Sequence, residues 1–123
     1  RENIQGELLT FIDDMARRYA VADLVICRAG AMTIAELSAG GMASMLVPFP
    51  HAVDDHQSAN ARFLSDAGAA ILVPQAKLTP AHLADLIRSL DRAALLAMAE
   101  KARVLGKPEA ARVVADRCVE LAA

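Results

Sequence analysis

The run Cys27-Arg28-Ala29-Gly30-Ala31-Met32-Thr33-Ile34-Ala35-Glu36 leads from an apolar stretch through a glycine to a hydroxyl and a carboxylate three residues apart. If residues 23–27 form a strand and a helix opens after Gly30, Thr33 lies in its first turn and Glu36 one turn further on the same face. A helix start offers unpaired backbone N–H groups and roughly half a positive charge, so it favours a diphosphate. Thr33 can then donate to a phosphate while Glu36 accepts from the hydroxyls of a neighbouring sugar. Gly30 has no side chain to hold a ligand away from the backbone. Together these features suit a nucleotide sugar. The plainer alternative is an ordinary strand-to-helix turn with Glu36 facing solvent.

A second polar cluster is His51-Ala52-Val53-Asp54-Asp55-His56-Gln57. Gln57 suits the vicinal hydroxyls of a sugar, because an amide both donates and accepts; a solvated loop with a helix cap is the alternative. Two His and two Asp invite a metal, but their spacing matches neither an HExxH helix nor a Cys/His zinc site, and no metal is expected. Asn60 and Arg62 read as surface or capping groups, and Arg88, Arg92, Lys101 and Arg103 as solvated faces of amphipathic helices. No Gly-x-Ser-x-Gly, P-loop or Gly-x-Gly-x-x-Gly motif occurs, and no nucleophile is paired with a base. A binding half-site with no catalytic residue in this chain is therefore expected.

The elements that must position these groups follow from the apolar pattern. Strands are expected at 8–12, 24–26, 45–47 and 70–73, with helices between them over 15–22, 31–39 and 57–67. Asp13 or Asp14 is a candidate N-cap, Gly40-Gly41 and Gly68 are candidate helix ends, and Pro48 and Pro74 stop strands. Apolar strands without polar alternation, separated by helices, signal a parallel sheet covered on both faces. Beyond Pro74 the pattern is all helical: Thr79-Pro80 and Asp91 open helices, and Pro108 begins the last. The fold class is thus α/β with an all-helical C-terminal third. Open parallel sheets bind ligands beyond the carboxyl ends of their strands. Phe11-Ile12, the 28–36 segment and the 51–57 loop all fall there.

Composition narrows the function. The 123 residues make one domain of common size, 55% hydrophobic and only 3% aromatic, with a net charge of -2. Few rings and no basic excess argue against nucleic acid and anionic lipid as direct partners. No apolar run approaches the roughly 20 residues needed to span a bilayer. Cys27 and Cys118 read as reduced thiols in a cytoplasmic protein. The start, Arg1-Glu2-Asn3, lacks an initiating Met, and the chain reads as a piece of a longer polypeptide.

Phe11-Ile12-Asp13-Asp14-Met15, the 22–36 segment, Val47-Pro48-Phe49-Pro50-His51 and Asp54-Asp55-His56-Gln57-Ser58-Ala59-Asn60-Ala61 together resemble the MurG family. Its members are bacterial UDP-N-acetylglucosamine transferases that convert lipid I to lipid II in peptidoglycan synthesis. The resemblance implies the C-terminal, donor-binding half of a GT-B glycosyltransferase, with residues 1–123 forming a Rossmann-like UDP-sugar-binding domain truncated at its N-terminal side. It also implies a set of site residues. The backbone of Ile12 reads the uracil and Phe11 flanks it; Ala31, Met32 and Thr33 hold the diphosphate. Ile34 and Ala35 complete the binding segment up to Glu36, which binds the ribose hydroxyls, and Gln57 with His56 holds the N-acetylglucosamine. Many family members have Gln at position 56 and Ser at position 29, so His56 and Ala29 are departures. No cofactor is implied. The partners would be the UDP-N-acetylglucosamine donor and, through a missing N-terminal domain, the lipid I acceptor and a peripheral contact on the cytoplasmic side of the inner membrane. The chain alone would be inactive. Two other readings stand beside this one: a UDP-N-acetylglucosamine 2-epimerase of the same architecture, and a non-catalytic, partner-dependent subunit.

Overall fold

A computed structural model describes residues 4–51 and 53–123. Arg1, Glu2 and Asn3 at the start, and Ala52 of the polar loop, lie outside the described residues. Among the described residues the sheet has three strands, β1 (Val25–Cys27), β2 (Ser44–Leu46) and β3 (Ala70–Leu72), in the order β1-β2-β3. All pairings are parallel. Val25 faces Ser44 and Cys27 faces Leu46 in the first, and Ser44 faces Ala70 and Leu46 faces Leu72 in the second. The central strand β2 is buried throughout, as its unbroken apolar character requires.

The helices that cross between the strands are α2 (Ala31–Gly40) and α3 (His56–Ser65), and both end in the same way. After α2, Gly41 takes φ 64° and the N–H groups of Gly41 and Met42 donate back to Ser38 and Leu37. After α3, Gly68 takes φ 70° and the N–H groups of Gly68 and Ala69 donate back to Ser65 and Leu64. Glycine tolerates these left-handed turns, which close the orphan carbonyls and send the chain straight into β2 and β3.

The remaining helices are α1 (Met15–Val21), α4 (Pro80–Ser89), α5 (Arg92–Leu105) and α6 (Ala110–Ala122). The expected caps of α4 and α5 are in place. Thr79 Oγ1 accepts from the His82 N–H at 3.1 Å, and Asp91 Oδ1 accepts from the Ala94 N–H at 2.7 Å. The core joins Ala29, Ile34 and Leu37 to Leu46, Ala61, Leu64 and Ala102 of α5. Small residues let α5 lie close on α2, and Gly106 ends against the backbone of Ser38 and Ala39.

Two local expectations change. Residues 8–12 form no strand; they run irregularly and expose Leu8, Leu9 and Phe11. A short apolar run becomes a strand only where a sheet edge accepts it, and periodicity alone cannot tell whether one does. Asp14 occupies the N-cap position of α1 but makes no side-chain cap bond. Its Oδ1 accepts instead from Arg18 Nε, one turn along, at 3.2 Å. A charged donor at i+4 outcompetes a neutral backbone N–H.

Candidate functional site

The turn from β1 into α2 sits at the carboxyl edge of the sheet. Its N-cap is Gly30, which has no side chain to satisfy the first N–H groups of the helix. Its backbone, at φ -65° and ψ 149°, would accept any residue, and an added Cβ would meet only Thr33 Oγ1, at 3.6 Å. Nothing in the fold itself therefore demands glycine here, and its missing side chain leaves the helix start open to approach. Ala31 and Met32 are exposed (Met32 by 74%) and Thr33 is half-buried. Ile34 belongs to the core at 6% exposure, and its N–H donates to the Gly30 carbonyl at 3.0 Å. Its side chain and its N–H are thus both used by the fold, which leaves Ala31, Met32 and Thr33 as the open face. Ala35 and Glu36 are exposed.

Glu36 has a partner that the sequence pattern did not suggest. The Tyr19 hydroxyl of α1 donates to Glu36 Oε2 at 3.4 Å. Burial, and then the Glu36 carboxylate, raise the Tyr19 phenol above its ordinary pKa. Met15, Tyr19 and Glu36 line one groove between α1 and α2.

The second polar cluster is tied to the first. Gln57 Oε1 accepts from the Phe49 N–H at 2.8 Å and from the Ala29 N–H at 3.4 Å. Asn60, one turn along α3, donates from Nδ2 to the Ala29 carbonyl at 3.0 Å. Both peptide groups of the buried Ala29 are therefore held by α3. Asn60 is neither a surface nor a capping group. The signal available in sequence was its i,i+3 relation to Gln57, which puts two amides on one helix face. Arg28 joins the same rim: its Nη1 donates to the carbonyls of Val47 and Pro48 at 3.2 and 3.3 Å, and its guanidinium lies 5.6 Å from the centre of the Phe49 ring. Phe49 meets His51 edge-on, with ring centres 5.7 Å apart.

At the start of α3, Asp54 and Asp55 take left-handed conformations, and Asp55 Oδ1 accepts from Ser58 Oγ at 2.6 Å. His56 is exposed at the first position of the helix. Among the described residues no group of three or more His, Cys, Asp or Glu is placed to hold a metal ion. Phe11 is 80% exposed and Ile12 is exposed beside it, both on the irregular segment before α1. Cys27 and Cys118 are free thiols, and burial raises the Cys27 pKa.

The glycosyltransferase family 28 C-terminal domain matches residues 1–117. The chain belongs to this family. It is 66% identical over 120 residues to the UDP-N-acetylglucosamine--N-acetylmuramyl-(pentapeptide) pyrophosphoryl-undecaprenol N-acetylglucosamine transferase of Aromatoleum aromaticum, covering 98% of this chain and 34% of that protein. It is 59% identical over 120 residues to the transferase of the same name from Nitrosospira multiformis, with the same coverage. Among solved structures, a crystal structure of Acinetobacter baumannii MurG superposes with a TM-score of 0.85 at 50% identity, over 89% of this chain and 32% of that one. These likenesses bear out the resemblance to the MurG family and the parallel α/β fold. As a family 28 C-terminal domain, the chain spans about a third of the length of the curated relatives it matches.

Proposed function

We propose that this chain is the donor-binding part of a transferase that moves N-acetylglucosamine from UDP-N-acetylglucosamine to lipid I, forming lipid II in peptidoglycan synthesis. The observation that carries this reading is the open start of α2, uncapped at Gly30 with Glu36 one turn beyond Thr33. The names of the relatives supply the donor and the acceptor class. In this reading the N–H groups of Ala31, Met32 and Thr33 and the Thr33 hydroxyl hold the diphosphate. Glu36, held by Tyr19, accepts from the ribose hydroxyls. Gln57 with His56 faces the sugar, and Phe11 and Ile12 flank the uracil.

The chain contributes one wall of a cleft. Transfer also needs the acceptor hydroxyl held beside the anomeric carbon, and that positioning supplies much of the rate. The acceptor wall is assigned to the part of the relatives' length that this chain does not span. Because the acceptor is a lipid, the transferase works at a bilayer surface, peripherally on the cytoplasmic side of the inner membrane. No metal or cofactor enters the scheme; the helix start offers the diphosphate its free N–H donors and about half a positive charge.

Replacing Glu36 by Ala in the intact protein tests the assignment by calorimetry. Hydrogen bonds to a charged group are worth about 1.5–3 kcal/mol each. Loss of two ribose contacts, about 3–6 kcal/mol together, should therefore weaken UDP binding by about a hundredfold to ten-thousandfold, with the thermal midpoint kept, since Glu36 is exposed. Unchanged UDP affinity would remove Glu36 from the site.

A further inference from the structure

An amide can both donate to a sugar and accept from it, but at Gln57 the structure divides those two capacities. A carbonyl oxygen has two lone pairs. Those of Gln57 Oε1 face two backbone N–H groups, Phe49 at 2.8 Å and Ala29 at 3.4 Å. Only an oxygen can sit opposite two N–H donors, so the network itself fixes which way round the amide lies. Asn60 holds the same residue by its other peptide group, donating to the Ala29 carbonyl at 3.0 Å. Ala29 is wholly buried and cannot turn its N–H elsewhere. The part of Gln57 left for a ligand is Nε2, which only donates.

We propose that Gln57 is a one-way contact: its oxygen locks the loop after β2 and the turn after β1 together, and its Nε2 selects an acceptor atom on the sugar of a nucleotide sugar. The acceptor can be a hydroxyl oxygen or an acetamido carbonyl. Asn60 is a positioning residue, which acts through the Ala29 peptide on the orientation of Gln57 and on the adjoining start of α2. This inference rests on the assignment of Gln57 to the sugar in the proposed function.

The test is isosteric. In Gln57→Glu a carboxylate can still accept from Phe49 and Ala29, but the outward donor is gone. The readout is the ratio of UDP-N-acetylglucosamine affinity to UDP affinity in the intact protein, measured by calorimetry beside the thermal midpoint. The new charge repels UDP, whose terminal phosphate ionises a second time, more than the doubly esterified diphosphate of the nucleotide sugar, so on its own it raises the ratio and a fall reports the lost donor. The expected result is an unchanged midpoint and a ratio lowered about tenfold, the worth of one good hydrogen bond. Asn60→Ala should instead weaken both ligands together, leaving the ratio nearer to that of the parent protein than Gln57→Glu does. A Gln57→Glu protein that keeps the parent ratio, while Gln57→Ala loses it, overturns the donor assignment alone. A parent ratio in both variants overturns the placement of Gln57 at the sugar. A Gln57→Glu protein that unfolds also counts against the proposal, because the lock should accept a carboxylate.

Discussion

The starts of α2 and α3 are built from the same parts and finished in opposite ways. Each helix has ten residues, follows a parallel strand at the same edge of the sheet and ends in a left-handed glycine turn. α2 begins directly after its strand, at a glycine, with no acidic residue in its first turn. α3 begins after a longer loop, and the carboxylates of Asp54 and Asp55 already stand at its start. Negative charge at a helix start is favourable whether it comes from the chain or from a ligand. α3 meets that need with its own aspartates; α2 leaves it unmet, and in the proposed function the donor's diphosphate fills it. The division of labour follows: α2 offers backbone, and α3 offers the side chains of Gln57 and Asn60, which hold the α2 turn in place.

The largest effect should come from making α2 resemble α3. Gly30→Asp puts a carboxylate where the diphosphate would lie. Two like unit charges about 5 Å apart repel by about 3 kcal/mol at an effective dielectric of about 20. UDP affinity should therefore fall by about a hundredfold or more. The thermal midpoint should hold or rise slightly, because Asp caps a helix a few tenths of a kcal/mol better than Gly. Calorimetry beside a melting curve separates the two readouts, and a protein that melts early instead would mean that the fold needs Gly30.

The next effect concerns the support beneath α2. An added Cβ at Gly106 would come within 2.5 Å of the Ser38 carbonyl oxygen, and neither backbone can yield cheaply. Gly106→Ala should cost about 1–3 kcal/mol in denaturant unfolding, as overpacking does. On the α3 side, the corresponding close contact is between Gly68 and the flexible end of Lys101, which can move away.

A smaller change of opposite sign is expected in β2, which lies between the two turns. The Ser44 hydroxyl is fully buried and has no hydrogen-bond partner among the described residues. Ser44→Ala should stabilise by about 1 kcal/mol, since it removes an unsatisfied group and leaves the strand register alone. A destabilised variant would show that the hydroxyl has a partner in solution. The smallest effect belongs to Asp55→Asn, which keeps the left-handed conformation but removes a charge from the start of α3. A loss of about 0.3–1 kcal/mol is expected, with UDP affinity unchanged. A large change in affinity would place the ligand at α3 instead.

Much of this contrast was legible in the residues. Apolar runs located β1, β2 and β3, Gly41 and Gly68 marked the helix ends, and Thr79 and Asp91 announced their caps, because each of these is a local event. The open start of α2 was legible for the same reason: a glycine, no acid in the first turn, then Thr33 and Glu36 at helical spacing. The misses were all matters of partnership. Residues 8–12 carry a strand's apolar pattern without a strand's neighbour. Asp14 looked like a cap until Arg18 took its carboxylate. The Tyr19 contact to Glu36 spans 17 residues and the Asn60 contact to Ala29 spans 31; the i,i+3 spacing of Gln57 and Asn60 puts two amides on one helix face, but the local pattern names neither partner. The same holds for Gln57: its type suggested a two-way sugar contact, and only the folded geometry shows its oxygen already engaged.

The central claim is that the open start of α2 holds the diphosphate of the donor. Backbone amide resonances of the intact protein, followed during titration with UDP and with UDP-N-acetylglucosamine, test it most directly. The account predicts that Ala31, Met32 and Thr33 shift with both ligands, as their N–H groups gain a phosphate acceptor, and that the Gln57 side-chain amide responds only to the nucleotide sugar. Shifts centred on Asp55 and His56 at the start of α3, with the α2 amides unmoved, would contradict it.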